Sequence, residues 1–194
     1  MPKNSIIPKT EMMKMQRILN EAIENTSAIS LNQLARTTSG FSKKTEIIIK
    51  SAANLEMIWC PPGGFAMGPS AIDAQPSHEV VLNKGFYLGR YEVTNRQYRE
   101  VTGKVRGDNF PVYVSWKDAV SFCEKLNTIE KLPFGWTFAL PSEVQWEYAC
   151  RAGTTSLYSW GGKFNTKLAN TKESGLVKST EVGSFPPNLW GFYD

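Results

Sequence analysis

Residues 140–153 have the sequence LPSEVQWEYACRAG, and this stretch does more than any other to decide the fold. Ser142 and Gln145 have the spacing of a capping box. In this arrangement the serine hydroxyl accepts a hydrogen bond from the backbone N–H of the glutamine, and the glutamine side chain accepts one from the backbone N–H of the serine. Glu147 and Arg151 stand four residues apart, in the order that favours an ion pair on a helix. The apolar residues of the stretch recur at helical spacing: Trp146, Ala149 and Cys150. A short amphipathic helix is therefore predicted.

Two further helices are predicted from the same device at their N-termini. Thr94 precedes Gln97 by three residues, and Ser115 stands in the same relation to Asp118, a shorter partner than glutamine. The helix that follows Ser115 has an apolar stripe made of Ala119, Phe122, Cys123 and Leu126. The chain between residues 94 and 153 is thus expected to hold three short helices.

Short β-rich runs precede these helices, at residues 57–60, 79–82 and 86–91. The last two are joined across Asn83-Lys84-Gly85, which predicts a β-hairpin. From Gly153 onward, pairs of glycines and prolines alternate with aromatic residues, which predicts long ordered loops; such loops usually carry function. The fold class indicated is α+β, with short helices and strands and long ordered loops.

The charge and the aromatic residues divide the chain near residue 50. Residues 1–50 hold eight Lys/Arg against four Asp/Glu, whereas residues 51–194 hold fourteen of each and all but one of the aromatic side chains. We therefore predict a basic helical leader at 1–50 and a main body at 51–194. Within the leader, residues 11–25 have an apolar stripe at helical spacing, and residues 45–50 (TEIIIK) are predicted to form a strand.

Composition also restricts the partners and the compartment. The lysines of the leader are scattered without interleaved aromatics, which favours a solvated extension over a nucleic-acid site. The N-terminus has no apolar stretch of the secretory type, and no run approaches the ~20 apolar residues of a membrane span. Three widely spaced cysteines do not form a closed disulfide framework. We expect a cytoplasmic chain that binds neither nucleic acid nor membrane.

Residue counts exclude several kinds of catalytic site within this chain. His78 is the one histidine, so a three-histidine iron site and a Cys₂His₂ zinc site are excluded, and its place before a strand favours a surface role. Cys123 and Cys150 lie on predicted apolar stripes, and Cys60 ends a strand without a neighbouring cation to lower its pKa. All three cysteines are expected to pack in the core, and no catalytic residue is identified.

The same segments, in order, resemble the formylglycine-generating-enzyme or sulfatase-modifying-factor family. They are residues 57–68 (MIWCPPGGFAMG), 75–80 (QPSHEV), 86–98 (FYLGRYEVTNRQY), 111–119 (PVYVSWKDA), 140–153, and finally 158–161 (YSWG), 169–170 (AN) and 182–194 (VGSFPPNLWGFYD). The agreement of all these segments with the family's order makes the resemblance far more specific than a single short motif.

This resemblance implies a C-type-lectin-like sulfatase-modifying-factor fold, and an activity that uses copper and dioxygen to oxidise a cysteine in an unfolded sulfatase segment to formylglycine. The family's two reactive cysteines lie beyond the segment in which this sequence ends, at Asp194. The chain is therefore expected to be incomplete at its C-terminus and inactive, with copper bound only by the complete domain. The partner implied is a sulfatase or another protein or peptide substrate.

Two alternatives to an oxidase follow from the same resemblance. The first is a non-catalytic C-type-lectin-like binding module, since a fold does not fix a function. The second is the related iron-dependent sulfoxide synthase, which needs several histidines in a preceding helical domain. The leader contains no histidine, so this second alternative is set aside.

The resemblance also carries part of a structural calcium site. The family's ligands fall here on the side chain of Asn170 and the backbone carbonyl of Thr171. The usual acidic ligand is replaced within Ser174-Gly175-Leu176, so Glu173 is the expected substitute. Because calcium takes six to eight oxygen ligands and usually carboxylates, a plain loop is the open alternative.

Overall fold

The computed structural model describes residues 46–68, 77–104, 107–176 and 178–193. Its strands are β1 (Glu46–Ile49), β2 (Leu55–Cys60), β3 (Gly63–Met67), β4 (His78–Leu82) and β5 (Phe86–Gly89). Its α-helices are α1 (Asn95–Thr102), α2 (Trp116–Ile129) and α3 (Glu143–Arg151), and short 3₁₀ turns occupy Lys50–Ala52 and Lys172–Ser174. The leader helix predicted at residues 11–25 lies outside the described residues. Within the described ranges, no helix combines the length and apolar character that crossing a bilayer requires.

The larger sheet has β2 at its centre, with β1 and β5 antiparallel on either side. Ile47 lies opposite Met57, and Trp59 lies opposite Tyr87. The strand predicted at residues 45–50 is therefore confirmed, and it belongs to the main body. The predicted division after residue 50 followed the change of charge and therefore assigned this strand to the leader. Strand pairing begins earlier in the chain than the change of charge. The character of the remaining leader stays a prediction.

The predicted hairpin between β4 and β5 is wrong. β4 pairs with β3 in a separate two-stranded sheet, whereas β5 pairs with β2 in the larger one. Between them the chain passes so close to Trp59 that a Cβ on Gly85 would lie 2.2 Å from its ring atom Cζ2. The turn-forming residues at 83–85 therefore mark a crossing from one sheet to the other, and the glycine is needed for close approach.

Two hydrophobic clusters lie against the larger sheet. The first contains Ile49, Ala52, Leu55, Tyr98, Val101, Phe122 and Leu126. The second contains Ile58, Cys60, Tyr148, Ala149 and Phe192. Alternate residues of a strand point to opposite faces, so Leu55 belongs to one face of β2 and Ile58 and Cys60 to the other. The sheet is therefore covered by α1 and α2 on one face, and by α3 with the C-terminal segment on the other.

The predicted helix starts are found where the sequence places them. The capping boxes of Thr94 with Gln97 and of Ser142 with Gln145 are complete, with both reciprocal hydrogen bonds present. Ser115 accepts a bond from the backbone N–H of Asp118 and donates its hydroxyl to the carboxylate of the same residue. The shorter Asp118 thus accepts a hydrogen bond from the hydroxyl of its capping residue. Gln97 and Gln145 instead each accept one from the backbone N–H of theirs.

Three tryptophans in the motifs that carry the resemblance belong to one compact unit of residues 45–194. They lie at its surface: the exposed fraction is 72% for Trp116, 55% for Trp146 and 37% for Trp160. These motifs therefore belong to one folded unit, but their three tryptophans lie at its surface and do not form its core.

Glu147 of α3 holds the end of β3 in place. Its Oε1 accepts hydrogen bonds from the Gly68 N–H at 2.9 Å and the Arg151 Nε at 2.8 Å, and Arg151 donates to the Gly68 carbonyl at 2.6 Å. Burial alone would raise the pKa of the Glu147 carboxyl, but the bonds from Gly68 and Arg151 outweigh it and lower the pKa from its ordinary value of 4.5.

Replacing Glu147 by glutamine is expected to lower the free energy of unfolding by about 2 kcal/mol at neutral pH, because the charge-assisted bonds are lost. A lowered folded-state pKa stabilises the protein above the unfolded value and loses that contribution as pH falls through the folded value. The difference between wild type and Glu147→Gln should therefore shrink below pH 4.5. Urea denaturation between about pH 3 and about pH 7 measures it.

Glu143→Gln on the same helix is the matched control, since Glu143 is exposed and, among the described residues, makes no hydrogen bond to β3. Its effect should stay within about 0.5 kcal/mol. Parallel stability curves for Glu147→Gln and wild type across this pH range would contradict the assigned role.

Candidate functional site

The thiol of Cys60 lies at the end of β2, within the second hydrophobic cluster. The residue is completely buried. Burial raises the pKa of its thiol to about 12, since a thiolate would be charged in an apolar environment. Cys60 is therefore an uncharged packing residue at neutral pH, as predicted from its place in the sequence.

The other two thiols lie on helices and are half-buried and free. Burial raises the pKa of Cys123 on α2, which packs against the first cluster. Burial also raises the pKa of Cys150 on α3, and the charge of Arg151 offsets this only in part. Reactive cysteines usually have a lowered pKa, so these thiols have the environment of structural residues.

His78 lies at the start of β4, opposite Met67. The residue is exposed. This agrees with the surface role predicted for the one histidine of the sequence.

The predicted calcium residues lie together in one turn. Thr171 precedes the 3₁₀ turn Lys172–Ser174, its N–H donates to the Ser174 hydroxyl at 3.2 Å, and its carbonyl accepts from that hydroxyl at 2.7 Å. Asn170 donates its side-chain amide to the Lys178 carbonyl at 3.0 Å, which closes the loop. Glu173 is exposed at the first position after the turn begins.

These residues satisfy the requirements of calcium only in part. The hydroxyl oxygen of Thr171 is buried against the Ser174 backbone N–H of the same turn, so it is not among the oxygens offered to an ion. The turn supplies a single carboxylate, whereas calcium usually takes several oxygens with more than one negative charge. Across the described ranges, no group of three His, Cys, Asp or Glu could hold a metal, so these residues do not fit copper either. Calcium binding stays a prediction.

An open cleft of about 400 Å³ was not predicted and lies between two loops of the C-terminal region. Its lining consists of Thr154, Ser156, Ser159, Trp160, Gly161, Leu168, Pro186, Pro187, Asn188 and Leu189. Every side chain in this lining is uncharged at neutral pH. Aromatic and apolar walls with a few hydrogen-bonding groups are typical of ligand sites.

The first wall of the cleft is a tight turn. Tyr158 and Gly161 exchange backbone hydrogen bonds at 3.0 and 3.1 Å. The Trp160 ring stacks on Tyr158 with centroids 5.1 Å apart, and its indole N–H donates to the Lys163 carbonyl at 3.1 Å. These contacts fix the plane of the indole while leaving it partly exposed to the cleft.

The second wall is held by Asn188, which follows two prolines. Its amide donates to the carbonyls of Ala149 and Cys150, which belong to the last turn of α3. The second wall of the cleft is therefore fixed to α3. Turn residues beside aromatics in both loops were the sequence signal for it, but spacing alone did not show that the two loops meet.

The hydroxyl oxygen of Thr154 is buried and has no hydrogen-bond partner among the described residues. Because it has almost no accessible surface, it lies beneath the lining and is not open to a ligand in the cleft. The cleft itself offers the partly exposed Trp160 ring and the exposed Leu189, so it can hold an apolar group.

Comparisons with known proteins agree with this architecture. The family model of the sulfatase-modifying factor enzyme 1-like domain matches residues 45–194. Formylglycine-generating enzyme of Mus musculus is 36% identical over 104 residues, which cover 44% of this chain and 24% of that protein. "Inactive C-alpha-formylglycine-generating enzyme 2" of Bos taurus is 34% identical over 99 residues, covering 44% of this chain and 29% of that protein.

A solved structure is also similar. PvdO from Pseudomonas aeruginosa superposes with a TM-score of 0.64 and 29% identity, covering 79% of this chain and 72% of that one. The fold is thus the α+β, C-type-lectin-like fold predicted from the sequence. The chain spans about a quarter of the length of the mouse relative. Since the family model matches most of its residues, this chain belongs to the sulfatase-modifying factor enzyme 1-like domain family.

Proposed function

We propose that this domain belongs to a protein that oxidises a cysteine of a sulfatase, or of another protein or peptide, to formylglycine. In this proposal the residues present supply the scaffold and do not supply the reactive thiols. The observation that carries the activity is the match of residues 45–194 to the family model, together with the formylglycine-generating relatives. Burial raises the pKa of Cys60, Cys123 and Cys150 alike, which supports the second part of the proposal. A thiol held in its protonated form neither binds copper well nor acts as a nucleophile.

The expected result is that the purified 194-residue chain forms no aldehyde. The chain is incubated with copper, dioxygen and a cysteine-containing peptide, and mass spectrometry measures formylglycine in the peptide. Peptide with copper alone gives the background, and a triple variant with Cys60, Cys123 and Cys150 changed to serine is the matched control. Aldehyde above background that disappears in the triple variant would overturn the proposal.

Metal binding enters the proposal in two separate ways. Copper ligands are placed outside the described residues, because these hold no suitable donor set. Calcium is proposed as a structural ion bound by Asn170 Oδ1, the Thr171 carbonyl and the Glu173 carboxylate. The position of these three residues in one turn supports this, and a melting temperature that does not respond to calcium would contradict it.

The three free cysteines support a reducing compartment, for which we propose the cytoplasm.

The alternative proposal is a non-catalytic binding module of the same fold. The cleft beside Trp160 favours it, because the lining combines a fixed aromatic ring with an exposed apolar side chain, Leu189, and no ionisable group. The bovine relative that is named inactive is consistent with members that have lost the chemistry. Ligand binding at the cleft by the complete protein, without aldehyde formation by that protein, would favour this alternative.

A further inference from the structure

A loop with a local excess of positive charge lies beside the cleft. Residues 163–178, here called the lysine loop, contain Lys163, Lys167, Lys172 and Lys178, with Glu173 as their one acidic residue. All four lysines are exposed. Since residues 51–194 are neutral as a whole, an excess of +3 in this loop is a local feature and not a reflection of the general composition.

The lysine loop is attached to the cleft at two points. At its beginning, the Lys163 carbonyl accepts the indole N–H of Trp160 at 3.1 Å. Further along, Leu168 is part of the lining, directly after Lys167. The bond from Asn170 to the Lys178 carbonyl then holds the two halves of the loop together. The lysines therefore stand on a loop that is fixed to the cleft.

The two parts offer different chemistry to a ligand. The cleft offers the Trp160 ring and Leu189, whose exposed fractions are 37% and 78%. An apolar side chain fits this lining. The lysine loop offers positive charge, which attracts carboxylates and increases their rate of encounter.

We propose that the cleft and the lysine loop together bind an acidic peptide segment of a partner protein. One apolar side chain of the segment enters the cleft, and the carboxylates on either side of it meet the lysines. Peptide interfaces commonly combine one buried apolar anchor with charged contacts at the rim. This binding does not depend on aldehyde formation, so it and the proposed oxidase role can fail separately.

The test uses a fluorescent pentapeptide with a central leucine between two pairs of glutamates, and the change in anisotropy measures its binding to the full chain. Replacing the glutamates by glutamine, or the leucine by serine, should each weaken binding by about tenfold. Raising the salt from about 0.05 M to about 0.5 M should weaken only the glutamate peptides. Equal binding of the serine peptide would mean charge attraction alone, and equal binding of the glutamine peptide would mean apolar contact alone; either result overturns the proposal.

Protein variants locate the binding. Changing the four lysines of the loop to glutamine should weaken binding about tenfold. The same change in charge elsewhere, at Lys84, Lys117, Lys125 and Lys131, should leave it within about twofold. Equal losses in the two sets would show a general charge effect and overturn the proposal.

A second pair of variants tests the apolar anchor. Leu189→Ser changes an exposed apolar residue of the cleft and should weaken binding. Ile129→Ser changes an exposed apolar residue at the end of α2 and should leave binding unchanged. If Leu189→Ser leaves peptide binding unchanged and only converts a dimer to a monomer in sedimentation, the cleft serves a second copy of this chain. That result would also overturn the proposal.

Discussion

Replacing Asn188 by alanine is expected to lower the free energy of unfolding by about 4 kcal/mol, because one side chain makes four hydrogen bonds. Its amide donates to the Ala149 carbonyl at 2.8 Å and the Cys150 carbonyl at 3.1 Å. Its Oδ1 accepts from the N–H groups of Trp190 at 3.0 Å and Phe192 at 3.1 Å. Alanine would leave carbonyls at the end of α3 and two N–H groups without partners at once.

Asn188→Asp separates the two halves of this network. The carboxylate keeps both acceptor bonds, but it cannot donate to the helix carbonyls and places a negative charge at the negative end of the α3 dipole. We therefore expect a loss comparable to that of alanine, measured by urea denaturation.

Asn165→Ala is the control for asparagine in an exposed loop. Asn165 makes one side-chain bond, from the Lys167 N–H to its Oδ1 at 3.0 Å. The expected loss is below about 1 kcal/mol. If Asn188→Asp were as stable as wild type, the bonds to α3 would contribute nothing, and the tie between the C-terminal segment and the helix would need another cause.

Local signals in this sequence predicted local structure correctly. The helix starts at Thr94 and Ser142 could be predicted because a capping box is decided by residues three apart, and both boxes are present. Burial of Cys60 could be predicted because it ends an apolar run and has no neighbouring cation to lower its pKa. Such a cysteine usually packs as a small hydrophobic residue. These features depend on neighbours in the chain, which a single sequence displays.

Features that depend on distant residues could not be predicted. The turn signal at residues 83–85 was correct, but nothing local showed that β4 would pair with β3 and β5 with β2. In the same way, the prolines at 186–187 and the turn at 158–161 were each recognised as loops. That they face each other across a cleft depends on the bonds of Asn188 to α3, which join residues 38 and 39 positions apart.

Gly85→Ala is expected to destabilise the protein by about 3 kcal/mol, because the added methyl group would overpack a contact that is already close. A Cβ there would lie 2.2 Å from Trp59 Cζ2, 2.4 Å from Cη2 and 2.8 Å from the Cys60 carbonyl oxygen. The indole cannot simply swing away, since its ring also contacts Tyr87 at 5.0 Å and Trp136 at 6.1 Å between centroids. The strain should therefore disturb all three rings, and near-UV circular dichroism should show it together with a lower melting temperature.

Gly162→Ala is the matched control, because a Cβ at that glycine would have nothing within 4 Å. Its effect should stay within about 1 kcal/mol. A double-mutant cycle with Trp59→Phe then identifies the cause, since phenylalanine lacks the atoms that the new Cβ would meet. The two substitutions together should cost about 1 kcal/mol less than the sum of their separate effects. Strict additivity would mean that the indole is not what excludes a side chain at Gly85, and the nearby Cys60 carbonyl would be the remaining obstacle.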